Sequence, residues 1–226
     1  MRYCFTDRFG GRSEGRYESF NLALHVGDDP LIVAQNRALL SQKIACENLV
    51  FMEQVHGDSI SIVRDVSSPK IRRCDALITN LPDVALCVMV ADCIPVLLHD
   101  SHTQAIAAIH AGRNGVAKKI VNKTIQAMQE TYGSSPEDIQ VFLGPAIGSC
   151  CYEVKEDVTA GFEGYVRHHE GRIYLDIMQK CLDDMCEGGV SAQHINNAQI
   201  CTCCEENYFS YRRDGVTGRF CGAIVL

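Results

Sequence analysis

Three apolar runs stand in the middle of the chain: VALCVMVADC (84–93), IPVLLHD (94–100) and AIAAIH (105–110). Their hydrophobicity is continuous rather than alternating, which predicts strands buried on both faces. Only SHTQ (101–104) separates the last two, so they are expected to form a hairpin. Beyond them, Val116, Ile120, Ile125 and Met128 recur near helical spacing with lysines on the other side, predicting a helix over 115–131. YGSSPED ends that helix, and QVFLGPAIG (140–148) reads as another buried strand leading into a glycine-proline turn. Near the N-terminus, Asp28, Asp29 and Pro30 form a helix start. The helix should run from 30 to 44, with Val33, Leu40 and Ile44 on one face. Further helices are expected around 153–165 and 174–187, and a pair of strands near 207–226. The glycine-rich, charged GGRSEGRYES (10–19) reads as a mobile loop. Strands and helices mixed without regular βαβ alternation predict an α+β fold with a mixed sheet.

Length and composition narrow the class. At 226 residues the chain fits one domain spanning 1–226. Its 46% hydrophobic and 22% charged residues are those of an ordinary globular protein. A net charge of -7 provides no electrostatic basis for wrapping nucleic acid or coating an anionic membrane. No apolar run reaches the ~18–20 residues of a membrane span, and the N-terminus lacks the apolar core of a secretory signal. A cytoplasmic protein is expected. No heptad repeat argues for assembly, so a monomer is expected as well.

Thirteen cysteines are many, and the count is odd. Without an export signal a disulfide framework is not expected. Most of the thiols read as small buried hydrophobes, Cys87 most clearly. Cys201, Cys203 and Cys204 (CTCC) could hold a metal or sense redox state, although their spacing matches no common zinc knuckle. Cys150 and Cys151 follow GPAIGS, a turn able to expose a thiol.

The candidate chemistry centres on His56 in QVHG, Cys93 in ADCIP and His110 in HAGRNG. Two imidazoles and a thiolate suit a borderline-soft divalent cation, and three protein ligands leave the open position that zinc catalysis needs. Singly, each residue reads equally as a buried cysteine or a hydrogen-bonded histidine. The hairpin over 94–110 returns His110 to the start of its first strand, beside Cys93. His56 comes from an independent segment. Gly57, Gly112 and Pro95 punctuate the three turns, and glycine permits close approach or positive φ. Asp92 is a candidate carboxylate for proton transfer or for fixing a histidine tautomer. Arg113, at a helix start, and Arg212, Arg213 and Arg219, around a DG turn, suit an anionic substrate, because guanidinium pairs with phosphate or carboxylate through parallel hydrogen bonds.

The ordered motifs NLALHVGDDP..V..NR (21–37), QVHG (54–57), CDALIT (74–79), ADCIPVLL (91–98), HAGRNG (110–115), LGPAIGSCCYEV (143–154) and YFSYRRDGVTGR (208–219) resemble the YfiH family of laccase-domain proteins. The family is also called peptidoglycan editing factor or multicopper polyphenol oxidase. The resemblance implies an α+β domain with mixed β-sheets flanked by helices, similar to the catalytic domain of cytotoxic necrotizing factor. It also implies zinc on His56, Cys93 and His110. The family usually reads HAGWRG and RQVHG. Here Arg113 stands where the tryptophan would be and Asn114 where the arginine would be, while Glu53 replaces the arginine before QVHG. Arg113 is then the cation that could serve from the neighbouring position.

The activities implied are phosphorolysis of adenosine, inosine, guanosine or methylthioadenosine, adenosine deamination, editing of UDP-MurNAc precursors carrying serine, and copper-dependent phenol oxidation. A His₂Cys site with Met52 or Met89 as axial ligand could pass for blue copper. A multicopper oxidase also needs a trinuclear cluster fed by HxH pairs, and this chain has eight histidines and no HxH. Zinc is therefore expected over copper, with a purine nucleoside as the small-molecule substrate and the bound water lowered toward a pKa of ~7. Two rivals remain. Cys93 could be a thiolate nucleophile with His110 as base, in an amidase acting on a nucleotide-sugar precursor. Alternatively, the chain could be a non-catalytic zinc or redox-responsive binding protein.

Overall fold

The computed structural model describes residues 1–67 and 72–226. Along the chain run β1 (Arg2–Phe5), α1 (Pro30–Ile44), β2 (Asn48–Phe51), β3 (Ile60–Ile62), β4 (Ala76–Thr79), β5 (Val84–Val90), β6 (Ile94–Asp100) and β7 (Ala105–Ala111). There follow α2 (Arg113–Ala117), α3 (Ile120–Tyr132), β8 (Gln140–Leu143), β9 (Glu153–Val154), β10 (Val166–His169) and β11 (Arg172–Leu175). The last elements are α4 (Ile177–Glu187), β12 (Ile195–Asn197), α5 (Tyr211–Asp214) and β13 (Phe220–Val225). Two mixed sheets dominate, one in the order β1-β13-β5-β2 and one in the order β12-β8-β6-β7-β4-β3, with a small sheet β10-β11-β9 beside them. The fold is α+β, as the mixed pattern predicts.

The large sheets pack face to face. Leu86, Val88, Phe220 and Ile224 from the first meet Leu77, Leu97, Ile106 and Ala108 from the second in one buried cluster. The outer face of the four-stranded sheet presents Ala85, Cys87, Ala223 and Val225 to Leu40 and Ile44 of α1. The outer face of the six-stranded sheet is covered by α3 and α4 through Ile125, Met128, Cys181 and Met185. With both faces of each sheet covered, the central strands are buried apart from the half-buried His99 of β6. That is why their sequences are continuously apolar.

Helix α1 has the predicted bounds. Asp29 caps it by accepting from the Leu31 N–H (2.8 Å), Pro30 opens it, and Ala45 ends it in the left-handed region at φ 51°. Its buried face includes Asn36, whose amide donates to Ser13 Oγ, Ser19 O and Asn21 O. Residues 10–19, expected to be mobile, are thereby pinned to the helix, and Ser13 is buried.

Four other expectations change. The helix over 115–131 is two helices, because Lys119 takes φ 56° between them. Residues 153–165 form no α-helix, only a 3-10 turn at Glu156–Val158: Gly161 and Gly164 adopt φ 83° and 87°, and only Phe162 is fully buried. In 174–187 the helix begins at Ile177, where Asp176 accepts from the Gln179 N–H, and Leu175 belongs to a strand. The expected pair of C-terminal strands is the short helix α5, capped by Ser210, followed by β13 alone. Among the described residues no helix is long and apolar enough to cross a membrane.

Candidate metal centre and cavity

The β6–β7 hairpin pairs Ile94 with Ala111 and Pro95 with His110, which sets His110 beside the turn carrying Cys93. That turn, 91–93, is where the chain leaves the four-stranded sheet and enters the six-stranded one, and Asp92 within it has φ 95°. His56 arrives on the loop between β2 and β3. Gln54 fixes this loop by donating to the Met89 carbonyl (2.7 Å) and accepting from the Met89 N–H (3.0 Å), as a neighbouring strand would. His56 itself takes φ 57°, a left-handed conformation unusual for a residue with a Cβ and a form of strain often found at functional sites. The positive φ is therefore at the histidine and not at Gly57. Gly112 is needed for space: a Cβ there would lie 3.1 Å from Cys93 Sγ and 3.5 Å from His110 Cε1.

One ligand atom each from His56, Cys93 and His110 falls within 4.8 Å of the others, and the two imidazoles meet edge to face. His110 is buried, Cys93 half-buried and His56 exposed. Asp75, wholly buried, ties the histidines together. Its Oδ1 accepts from His110 Nδ1 (2.8 Å) and the His56 N–H (2.9 Å), and its Oδ2 accepts from the Gly57 N–H (2.7 Å). With Nδ1 occupied, His110 offers Nε2 to a metal. A donor set of one thiolate and two imidazoles, with a carboxylate fixing one tautomer, fits a transition-metal ion.

Electrostatics favour the charged forms. Burial would raise the Cys93 thiol, but the positive charge and hydrogen bond of His110, with a further hydrogen bond from His56, bring it down to about 6. Burial would lower His110, yet Cys93 and Asp75 raise it to about 9. Burial also opposes ionisation of Asp75, and the bonds from His110, Gly57 and His56 more than offset it, holding it below the usual carboxylate range. In metal-stripped protein, site-resolved alkylation of Cys93 should therefore persist at neutral pH and fall only below about pH 6, where acid protonates the thiolate. A rate that instead falls away below about pH 8.5, as for an ordinary thiol, would contradict this pairing.

The trio opens into a cavity of about 460 Å³ lined by Arg113, Arg212, Arg219, Tyr152, Tyr211, Gln54, His25 and Asp92, among others. Arg113 stays on the wall, whereas Asn114 is exposed and not among the lining residues. Glu53 points to Arg73 (3.4 Å). Arg213, a predicted substrate contact, does not line the cavity. Its guanidinium donates to the carbonyls of Thr202 and Tyr208 (both 2.8 Å) and pairs with Asp214, so it clasps its own loop. Asp92 does line the cavity, but its oxygens accept from Thr202 Oγ1 and the Arg212 N–H (both 2.7 Å). The carboxylate that orients a histidine is Asp75.

The sequence reading missed Asp75, His25, Tyr152 and Tyr211. All four lie inside the quoted motifs, but nothing in their spacing marks them. His25 is held below its ordinary value, first by burial and then by Arg219 and Arg37.

Fold and site together define a class: an α+β protein that gathers a histidine, a cysteine and a histidine on the wall of an arginine-lined cavity. The profile of the family described as multi-copper polyphenol oxidoreductase laccase matches residues 2–226, and the chain belongs to that family. It is 42% identical to a purine nucleoside phosphorylase of Corynebacterium glutamicum, over 100% of this chain and 94% of that protein. It is 35% identical to a purine nucleoside phosphorylase of Streptomyces griseus, over 99% of this chain and 94% of that one. Among solved structures, the hypothetical protein YfiH of Bacillus licheniformis superposes with a TM-score of 0.94 at 31% identity, covering 99% of this chain and 92% of that one. YlmD of Geobacillus stearothermophilus gives 0.93 at 33%, covering 99% and 90%.

Proposed function

We propose that this protein is a zinc-dependent enzyme that cleaves purine nucleosides with phosphate. The observation that carries this reading is the convergence of His56, Cys93 and His110 at an arginine-lined cavity whose volume suits a nucleoside-sized ligand. The names of the curated relatives support it. Zinc on these three residues would supply Lewis acidity at the cavity wall.

The chain's own residues divide the remaining work. Arg113, Arg212 and Arg219 bind phosphate through their guanidinium groups. Tyr152 and Tyr211 offer flat apolar faces to the purine. A phosphate oxygen bonds to the sugar C1′ as the C1′–N9 bond breaks, and the purine leaves with the bonding electrons and takes up a proton. Asp92 acts as a positioning residue, holding the Arg212 backbone and Thr202. Adenosine deamination is the companion activity: a water oxygen bonds to the purine C6 as the C6–N bond breaks, ammonia leaves, and the C1′–N9 bond stays intact.

Zinc-loaded protein should release free base from adenosine, inosine, guanosine and methylthioadenosine only when phosphate is present, and should convert adenosine to inosine without it. Protein of verified zinc content that leaves all four untouched under both conditions would sink the proposal.

One observation favours a second reading. Cys93, His110 and Asp75 form a thiolate–imidazole–carboxylate series, the arrangement of a cysteine hydrolase. Activity that rises on chelation and is lost on alkylation of Cys93 would favour this amidase reading over the metal enzyme.

A further inference from the structure

A second group of sulfurs lies outside the cavity. Strands β8 and β12 run parallel, Ile195 beside Val141 and Asn197 beside Leu143. The pairing continues past their ends: the Ala146 N–H donates to the Ile200 carbonyl (3.1 Å) and the Thr202 N–H to the Ala146 carbonyl (3.0 Å). Two turns are thus held side by side, one carrying Cys150 and Cys151, the other Cys201 and Cys204. Their four Sγ atoms all lie within 4.8 Å of one another. Cys204 Sγ is 3.4 Å from that of Cys151 and 3.7 Å from that of Cys150. Four thiolates at ~2.3 Å around a tetrahedral zinc ion stand ~3.8 Å apart.

We propose that Cys150, Cys151, Cys201 and Cys204 form a second metal site, a closed tetrathiolate that holds one structural Zn²⁺. Packing does not explain the cluster, since Cys150 and Cys204 are exposed. Cys151 and the intervening Cys203 both touch the hydrophobic core, and the Cys203 thiol also lies against that of Cys151. The Gly148 N–H donates to Cys201 Sγ (3.2 Å), which favours a thiolate there. Two guanidinium groups brace the backbone of the turns. Arg212 Nη1 donates to the carbonyls of Cys151 (3.3 Å) and Glu153 (2.7 Å), and Arg213 Nη1 donates to that of Thr202 (2.8 Å).

Four protein ligands leave no open position, so the ion is structural. Its place in the fold explains its use. Tyr152 follows Cys151, Thr202 sits between Cys201 and Cys203, and Thr202 donates to Asp92 on the cavity wall. The ion therefore ties together one wall of the cavity, whichever reaction that cavity runs.

The test is metal stoichiometry. Protein purified with reductant, stripped, and reloaded with Zn²⁺ should bind two equivalents. The triple variant His56→Ala/Cys93→Ala/His110→Ala should keep one, and reloading it with Co²⁺ should produce the intense visible and sulfur charge-transfer bands of a tetrahedral tetrathiolate. Cys204→Ser should reduce the parent's two equivalents to one. Should that variant not fold, the Co²⁺ titration of the parent decides, by the presence or absence of a tetrathiolate spectrum. A triple variant that binds no metal, or a Cys151–Cys204 disulfide in reductant-protected protein, would overturn the proposal.

Discussion

Replacing Cys93 with alanine is expected to abolish metal binding at the cavity and to lower kcat/KM for phosphorolysis by ~10³-fold, equivalent to ~4 kcal/mol of transition-state stabilisation. The thiolate is the only anionic donor of the three candidate ligands, and the two imidazoles left behind are too few for a zinc site. The fold should tolerate the change: His110 keeps its bond to Asp75, and Gly112 loses only a close sulfur neighbour. Elemental analysis beside steady-state kinetics checks both parts. Loss of activity with full metal retained would move Cys93 from ligand to nucleophile. Retention of both would remove it from the chemistry altogether.

Substitution of Asp75 should have the largest effect on stability. Asp75→Ala strands His110 and two loop N–H groups in a buried setting. Removing one partner of a buried ion pair costs ~3–5 kcal/mol, which chemical denaturation would register as a lowered midpoint. Asp75→Asn keeps an acceptor but loses the charge that stabilises His110. Its expected signature is ~10–100-fold weaker metal affinity, read by competition with a chelator. An Asn variant with parental affinity would show that the carboxylate charge is not needed.

The pH dependence of that stability has a definite sign. Asp75 is held below its unfolded pKa of about 3.9, so its contribution is fully present above that value and is lost as pH falls through the lower folded pKa. The stability gap between parent and Asp75→Asn should therefore narrow below about pH 4.

Local chemistry made much of this molecule legible. Apolar runs marked β5, β6 and β7, and the four-residue link between the last two implied the register that sets His110 beside Cys93. The cap and proline at Asp29 and Pro30 located α1 to the residue. Metal-ligand chemistry and the hairpin pointed to Cys93 and His110, and the family resemblance supplied His56. Misreadings arose where local signals were weak. Apolar residues in 153–165 mimic a helical spacing that two left-handed glycines interrupt. Arg212 and Arg213 look alike in sequence, yet one lines the cavity and the other closes its own loop.

The linear order of residues was enough for the class of fold and for Cys93 and His110 as candidate ligands, with His56 added by the motif resemblance, because burial periodicity and donor chemistry belong to the residues themselves. Folding had to choose their companions. Asp75 rather than Asp92 faces His110, although Asp92 adjoins Cys93 in the chain. Cys201 and Cys204 meet Cys150 and Cys151 because β8 and β12 run side by side. Such partnerships depend on register and packing between segments distant along the chain.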